Sequence, residues 1–162
     1  MLRRSAAGRR AGFTLIEVLI VVVILGILAA TVLPQFTVSN TEARESVLRQ
    51  NLQTLRAQIQ LYRFQHNDAL PSAAIINEMA QKTDIDGTVS ATGALGPYLV
   101  NGFPTQPFAP AGIDGKTVSA AAGTIAVDAT TGWSYDTDTG EIRANLPNTA
   151  LAADGVTQLN EF

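Results

Sequence analysis

An apolar run near the N-terminus constrains the possible folds of this chain more than any other feature. Residues 13–36 hold one charged side chain, Glu17, and no further charge follows until Glu42. As a helix, this run extends about 36 Å, whereas the hydrocarbon core of a bilayer is about 30 Å thick. The run therefore predicts a transmembrane helix, and the four arginines within residues 1–12 predict a cytoplasmic N-terminus.

The carboxylate inside this run separates three interpretations of the segment. A cleaved secretory signal would have small residues near Ala29–Ala30, and a plain single-pass anchor needs only the apolar length. Neither accounts for Glu17, because an acid well inside a membrane span costs up to ~3 kcal/mol. No basic residue lies between Arg10 and Arg44. A partner must then come from a neighbouring copy or from a newly freed N-terminal amine.

The residues around this acid resemble the processing motif of type IV pilins and of the pseudopilins of type II secretion. The motif reads Gly-Phe-Thr-Leu-Ile-Glu over residues 12–17, between a short basic leader and the apolar run. The resemblance implies that a prepilin peptidase cuts between Gly12 and Phe13 and methylates the new amine of Phe13. It also implies that Glu17 neutralises the amine of an adjacent subunit and sets the register of assembly.

Two residues of the apolar run match the helix-weakening glycine and proline of the same family. These are Gly26 and Pro34. Glycine within a helix costs about 1 kcal/mol relative to alanine, and proline removes a backbone hydrogen bond. We expect residues 26–34 to be the softest part of the helix, and a simple proline kink is the alternative.

A second helical pattern follows over residues 37–68. Apolar residues at spacings of four and three form one stripe, which Leu61 and Phe64 would broaden: Leu48, Leu52, Leu55, Ile59 and Tyr62. The pattern predicts an amphipathic continuation that packs beneath a head, since the stripe is too short and too poorly flanked by charges for a coiled coil. Residues 13–66 would then form one nearly continuous helix, with His66 at its end.

Residues 69–162 are expected to form a loop-rich head. A short helix should run from Pro71–Ser72 to about Lys82, with Ser72 as its N-cap. Strands over 133–136 and 141–144 should pair as a hairpin, with Tyr135 opposite Ile142, Trp133 opposite Ala144 and Gly140 left-handed in the turn. Residues 118–128 can add a strand or two. The predicted fold is α+β, a pilin fold in which the long N-terminal helix packs on a small antiparallel sheet.

Acidic side chains gather at the predicted hairpin turn. The register places Asp136 opposite Glu141, with Asp138 between them, and like charges directly across a hairpin repel. A solvated turn would let the carboxylates separate. The alternative is a Ca²⁺ site, because calcium takes clustered oxygen ligands. The resemblance to G-type pseudopilins, which bind calcium in a C-terminal loop, implies the same ion and no other cofactor.

Composition argues against several other functions. The chain has no cysteine and a single histidine, His66, and we find no nucleophile–base pair or metal-ligand cluster typical of an enzyme. Beyond the leader, seven basic residues stand against fourteen acidic ones, so a nucleic-acid interface is not expected. The binding partners are instead expected to be proteins and a membrane.

The sequence therefore predicts a structural subunit, most like the G-type major pseudopilin of type II secretion. The resemblance implies a helical homo-oligomer, with a prepilin peptidase, an inner-membrane assembly platform and minor pseudopilins as partners. It places the protein in the bacterial inner membrane with a periplasmic head, and then in a periplasmic or extracellular filament. A type IV pilus subunit is the alternative, and a membrane-tethered binding domain is a more distant one.

Overall fold

The structure, a computed structural model, describes residues 12–162, with the side chains of residues 12–31 and 39–162. Two compact units divide the chain, Met1–Ser39 and Asn40–Phe162. Residues 1–11 of the predicted leader lie outside the described residues, so the leader stays a prediction.

Helix α1 runs without a break from Leu15 to Gln65. Its backbone passes through Gly26 and through position 34, so the expected continuous helix over residues 13–66 is confirmed to within two residues. Among the described residues, no helix is both long enough and apolar enough to cross a membrane. The transmembrane prediction for residues 13–36 is therefore not confirmed.

The second half of α1 carries the core stripe of the second unit. The five predicted stripe residues, from Leu48 to Tyr62, are at most 2% exposed. The extension of this stripe to Leu61 and Phe64 is wrong, because these side chains are 42% and 84% exposed. Both therefore lie outside the buried stripe of α1.

Helix α2 is shorter than predicted and spans Ile75–Ala80. Ser72 does not cap it, since Ala74 occupies the N-cap position. The Ser72 hydroxyl accepts a bond from the amide of Ala74 (3.1 Å) and donates to the carboxylate of Glu78, which holds residues 72–74 in a turn. The helix ends early because Gln81 is extended and the carbonyl of Met79 accepts the amides of residues 98 and 99.

Three strands form one sheet in the order β1-β2-β3: Val118–Ala121, Trp133–Asp136 and Ile142–Ala144. The hairpin register is confirmed, with Trp133 opposite Ala144 and Tyr135 opposite Ile142, and Gly140 has the expected positive φ of 76°. A short 3₁₀ helix, Leu159–Glu161, ends the described chain.

The expected antiparallel sheet is wrong for its first strand, because β1 pairs with β2 in parallel. Residues 122–132 carry the chain back along β1 before β2 begins. This connection approaches the dozen or so residues that a parallel crossover needs, and it exceeds an ordinary hairpin loop. The sheet is therefore mixed.

Strand β2 is buried on both faces, although its sequence alternates apolar and polar residues. Trp133 and Tyr135 lie in the main core, whereas the connection over residues 122–132 covers Ser134. The Ser134 hydroxyl accepts the amide of Ala126 at 2.6 Å. Alternation thus predicted the faces of this strand correctly but could not show that both faces would be covered.

Candidate processing and assembly site

The start of α1 is fixed by the same residues that form the sequence motif. Residues 12–14 are not helical, and the amide of Glu17 donates to both the carbonyl oxygen (3.2 Å) and the hydroxyl (3.3 Å) of Thr14. A threonine followed three residues later by glutamate has the spacing of a capping box. Glu17 thereby lies in the first turn, where the positive end of the helix dipole favours a carboxylate.

The side chains of this site are directed away from their own chain. Phe13 is 85% exposed, and every large apolar residue from Phe13 to Leu28 is more than half exposed. The described residues form two ion pairs, Arg63–Asp68 and Arg143–Glu141, and neither involves Glu17. This unit therefore presents an apolar surface with one carboxylate near its end.

The two glycines of the predicted site have no packing role within this chain. A Cβ built on Gly12 or on Gly26 meets no atom within 4 Å. Among the described residues, therefore, no packing contact requires glycine at position 12, and its processing role stays a prediction. The helix-weakening role of Gly26 and Pro34 stays a prediction, and the side chain of Pro34 is outside the described ones.

The three carboxylates at the hairpin turn do not converge as calcium ligands. The carboxylate of Asp136 accepts the amides of Gly123 (2.8 Å) and Asp138 (2.9 Å) and the hydroxyl of Thr139 (2.9 Å). These bonds, chiefly the one from the Asp138 amide, lower the pKa of Asp136 below its ordinary value. The turn is therefore not simply solvated, because protein donors surround the Asp136 carboxylate.

Glu141 likewise has a partner within the protein, since it forms a salt bridge with Arg143. Its Oε1 lies 2.6 Å from Nη2 of Arg143, two residues further along β3. No three acidic or histidine residues among those described form a group that could hold a metal ion. The present arrangement does not fit Ca²⁺, and calcium binding at Asp136, Asp138 and Glu141 stays a prediction.

A buried polar cluster at the end of α1 carried no signal in the sequence. Glu78, only 6% exposed, accepts the hydroxyl of Tyr62 (3.2 Å) and the amide of Ser72 (2.8 Å). Burial, followed by the nearby Glu78 charge, raises the pKa of Tyr62 well above its ordinary value. The two donors and the acceptor come from three separate segments, so only tertiary folding brings them together.

His66 lies at the end of α1 as predicted, but it is buried rather than merely helix-terminal. Its ring stacks on Tyr62 with 3.7 Å between ring centroids. Nδ1 lies 2.9 Å from the carbonyl oxygen of Tyr62, and Nε2 lies 3.0 Å from the hydroxyl of Thr83. Since a carbonyl only accepts, Nδ1 carries the proton and His66 joins the helix end to the segment after α2.

Comparison with known proteins gives a family match near the N-terminus and a similar curated protein. Residues 8–33 match the family described as the prokaryotic N-terminal methylation motif. The type II secretion system core protein G of Pseudomonas aeruginosa is 42% identical over 64 residues, which are 40% of this chain and 44% of that protein. The matched part is thus less than half the length of this curated relative, and no solved structure matches the chain significantly.

These matches agree with the geometry at the start of α1. The methylation motif includes the capped, exposed residues from Gly12 to Glu17. The long helix on a small three-stranded mixed sheet is consistent with a pilin fold. The chain thus carries the N-terminal methylation motif and is similar to type II secretion system core protein G over part of its length.

Proposed function

We propose that this chain is a structural subunit of a type II secretion pseudopilus. A prepilin peptidase cuts it between Gly12 and Phe13 and methylates the amine of Phe13. The processed chain then polymerises through its N-terminal helix and supports protein export. The chain is a substrate of the peptidase and a building block of the filament, and it catalyses no reaction in this scheme.

The observation that carries this proposal is the exposed first half of α1. Its large apolar side chains are more than half exposed among the described residues, and exposed apolar surface on this scale marks an interface with protein or lipid. Before assembly, we place this segment in the inner membrane, with its N-terminus cytoplasmic and the head periplasmic. In the filament, neighbouring copies cover the same surface.

The position of Glu17 gives a physical role to cleavage. Cutting after Gly12 leaves the amine of Phe13 four residues before Glu17, at the same end of the helix. A carboxylate in an apolar bundle is costly unless it is paired, by up to ~3 kcal/mol on membrane insertion scales. In our proposal, Glu17 of one copy pairs with the Phe13 amine of the next, so only processed chains in the correct register avoid this cost.

The first experiment is N-terminal mass spectrometry on protein purified from the cell envelope. We expect a chain that begins at N-methylated Phe13. A chain that keeps Met1–Gly12 would indicate a plain membrane anchor, and one that starts near Thr31 an ordinary signal peptide. Either result would refute the proposed processing.

A substitution tests the assembly role separately. We expect Glu17→Gln to be processed normally but to give far fewer filaments, because the neutral amide cannot offset the amine of a neighbour. Glu42→Gln is the matched control, since it removes an exposed carboxylate from the same helix outside the apolar run. Equal filament yield for both variants would contradict the role given to Glu17.

A type IV pilus subunit remains the second candidate, because the processing motif is shared between the two filament classes. Electron microscopy of intact cells distinguishes them, since a long surface filament favours the pilus. A membrane-tethered binding domain is the third candidate. It would be extracted by detergent as a monomer that keeps its leader.

A further inference from the structure

Two arginines line a groove on the head, beside the second half of α1. The arginine groove has a volume of about 310 Å³ and is lined by Arg49, Leu52, Gln53, Arg56 and Phe162. The guanidinium of Arg49 lies 3.5 Å above the centre of the Phe162 ring. Nη2 of Arg56 donates to the carbonyl oxygens of Phe162 (2.6 Å) and Ile142 (3.3 Å). Both cations are therefore held in place around an apolar floor.

Neither guanidinium belongs to the ion pairs that the described residues form, Arg63–Asp68 and Arg143–Glu141, although Arg49 lies near enough to the Asp154 carboxylate to help lower its pKa. Arg49 uses its ring contact and Arg56 two main-chain oxygens, so both retain N–H donors for another ligand. Guanidinium N–H donors bind carboxylates well, because their planar geometry matches the two carboxylate oxygens.

Charge is segregated along the sequence in a way that suggests the source of that carboxylate. Residues 46–67 contain three arginines and no acid, whereas residues 68–162 contain eleven acids and three basic residues. Residues 46–67 are therefore net basic and the rest of the head is net acidic. Two copies of this chain are electrostatically complementary to each other.

One acidic projection has the composition that the arginine groove requires. The acidic loop, residues 84–88, is closed by bonds from the Asp84 amide to the Thr88 carbonyl and from the Gly87 amide to the Asp84 carbonyl, each 2.9 Å. Ile85, at its tip, is 58% exposed between Asp84 and Asp86. The amide and hydroxyl of Thr88 lower the pKa of Asp86 below its ordinary value. The loop thus presents an apolar side chain between two acidic ones.

We propose that the acidic loop of one copy docks in the arginine groove of a second copy, with Ile85 on the apolar floor and its flanking carboxylates on Arg49 and Arg56. This inference rests on the proposed filament function and adds to it a contact between heads. The groove and the loop are formed by different residues, and in this proposal each loop enters the groove of the next copy, so the contact is heterologous. Repetition of such a contact builds an open helical filament rather than a closed dimer.

Introduced cysteines test the contact directly, because the 162-residue chain has none of its own. Gln53→Cys and Ile85→Cys are placed in separate copies that are co-expressed in cells with a prepilin peptidase and a secretion apparatus. A disulfide requires Cα atoms within about 7 Å, so only a seated loop brings the pair together. We expect abundant mixed dimers after mild oxidation.

Thr54→Cys combined with Ile85→Cys is the matched control for the cross-link. Thr54 is exposed and adjacent to Gln53, but it projects from the opposite flank of α1. We expect about tenfold fewer dimers from the control pair. Three results would each overturn the proposal: equal yields from both pairs, filaments without a cross-link between positions 53 and 85, or a cross-link from the Gln53→Cys variant to an unrelated protein.

A charge exchange provides the second test. Arg49→Glu and Asp84→Arg should each lower the yield of sedimented filaments about tenfold, because each places like charges in contact. The double variant restores opposite charges, and we expect it to recover most of the yield. Lys116→Glu changes the net charge as Arg49→Glu does, at an exposed site outside the groove, and should leave the yield unchanged. Two damaging single variants without recovery in the double variant would count against the contact.

Failure of this contact is distinguishable from failure of the proposed function. Suppose that chains beginning at N-methylated Phe13 form filaments but give neither the expected cross-link nor the expected effect of charge exchange. This result would support the pseudopilin function and refute the contact between heads. If the unaltered chain is not processed and forms no filaments, both the pseudopilin function and the contact between heads are refuted.

Discussion

Leu55 and Leu61 offer a sharp test of how the head packs on α1. They are the same residue type, six positions apart on one helix, but Leu55 is fully buried whereas Leu61 is 42% exposed. Truncating a buried leucine to alanine costs about 2–5 kcal/mol, of which part is the cavity that remains. We therefore expect Leu55→Ala to lower the free energy of unfolding by about 3 kcal/mol, and Leu61→Ala to lower it by under about 1 kcal/mol.

The assay is thermal unfolding of a fragment that begins at Asn40, the first residue of the second compact unit. For a domain of this size, each kcal/mol shifts Tm by roughly 4 °C, so Leu55→Ala should lose about 12 °C and Leu61→Ala only a few degrees. Comparable losses from both variants would refute the assignment of Leu61 to the outer side of the helix. A negligible loss from Leu55→Ala would refute the core itself.

Three further predictions concern the loops of the head. Gly140→Ala should destabilise the head by about 1–2 kcal/mol or more in chemical denaturation, because its φ is 76° and a Cβ would lie 2.7 Å from Leu70. Gly112 also has a positive φ, but no atom lies within 4 Å of a Cβ built there, so Gly112→Ala should lower the stability of the head less than Gly140→Ala. Equal losses of stability would contradict a steric contribution from Leu70 at position 140. Hydrogen bonds from the Thr157 hydroxyl, then from the Val156 and Thr157 amides, lower the pKa of Asp154 to about 2. The ionised Asp154 should therefore stabilise the head fully above about pH 4, and this stabilisation should be lost as the pH falls through about 2. Asp154→Asn should therefore differ from the parent in melting at neutral pH and converge with it at acid pH, whereas a pH-independent difference would count against this linkage. Because three protein donors already bind the Asp136 carboxylate, we expect excess calcium to leave the melting temperature of the head unchanged, and a clear rise would instead support the calcium prediction.

Processing, if confirmed, would connect the cap of α1 to assembly. Thr14 and Glu17 start the helix immediately after the proposed cleavage position, so the new amine and the acceptor carboxylate lie at one end of a regular helix. Because the cap is local, it forms in every copy before any copies meet. The register between copies would then follow from one charge pair set in an apolar surface.

Residues close in sequence determined much of the fold and the candidate processing site. The spacing of Thr14 and Glu17 fixed the start of α1, and four-three spacing identified the buried face from Leu48 to Tyr62. The hairpin register followed from alternation together with Gly140 in the turn. These features depend on separations of a few residues, where helix and strand periodicity alone decide which side chains share a face.

The tertiary structure decided which of those faces are covered and which distant groups meet. Periodicity placed Leu61 and Phe64 beside the buried stripe, but the folded head leaves them 42% and 84% exposed. The parallel pairing of β1 depends on the path of residues 122–132, and the contact of Arg56 with Phe162 joins residues 106 positions apart. Such contacts form only when the whole head closes around α1. The sequence therefore determined the elements and the motif, while burial, charge pairing and the arginine groove depended on long-range packing.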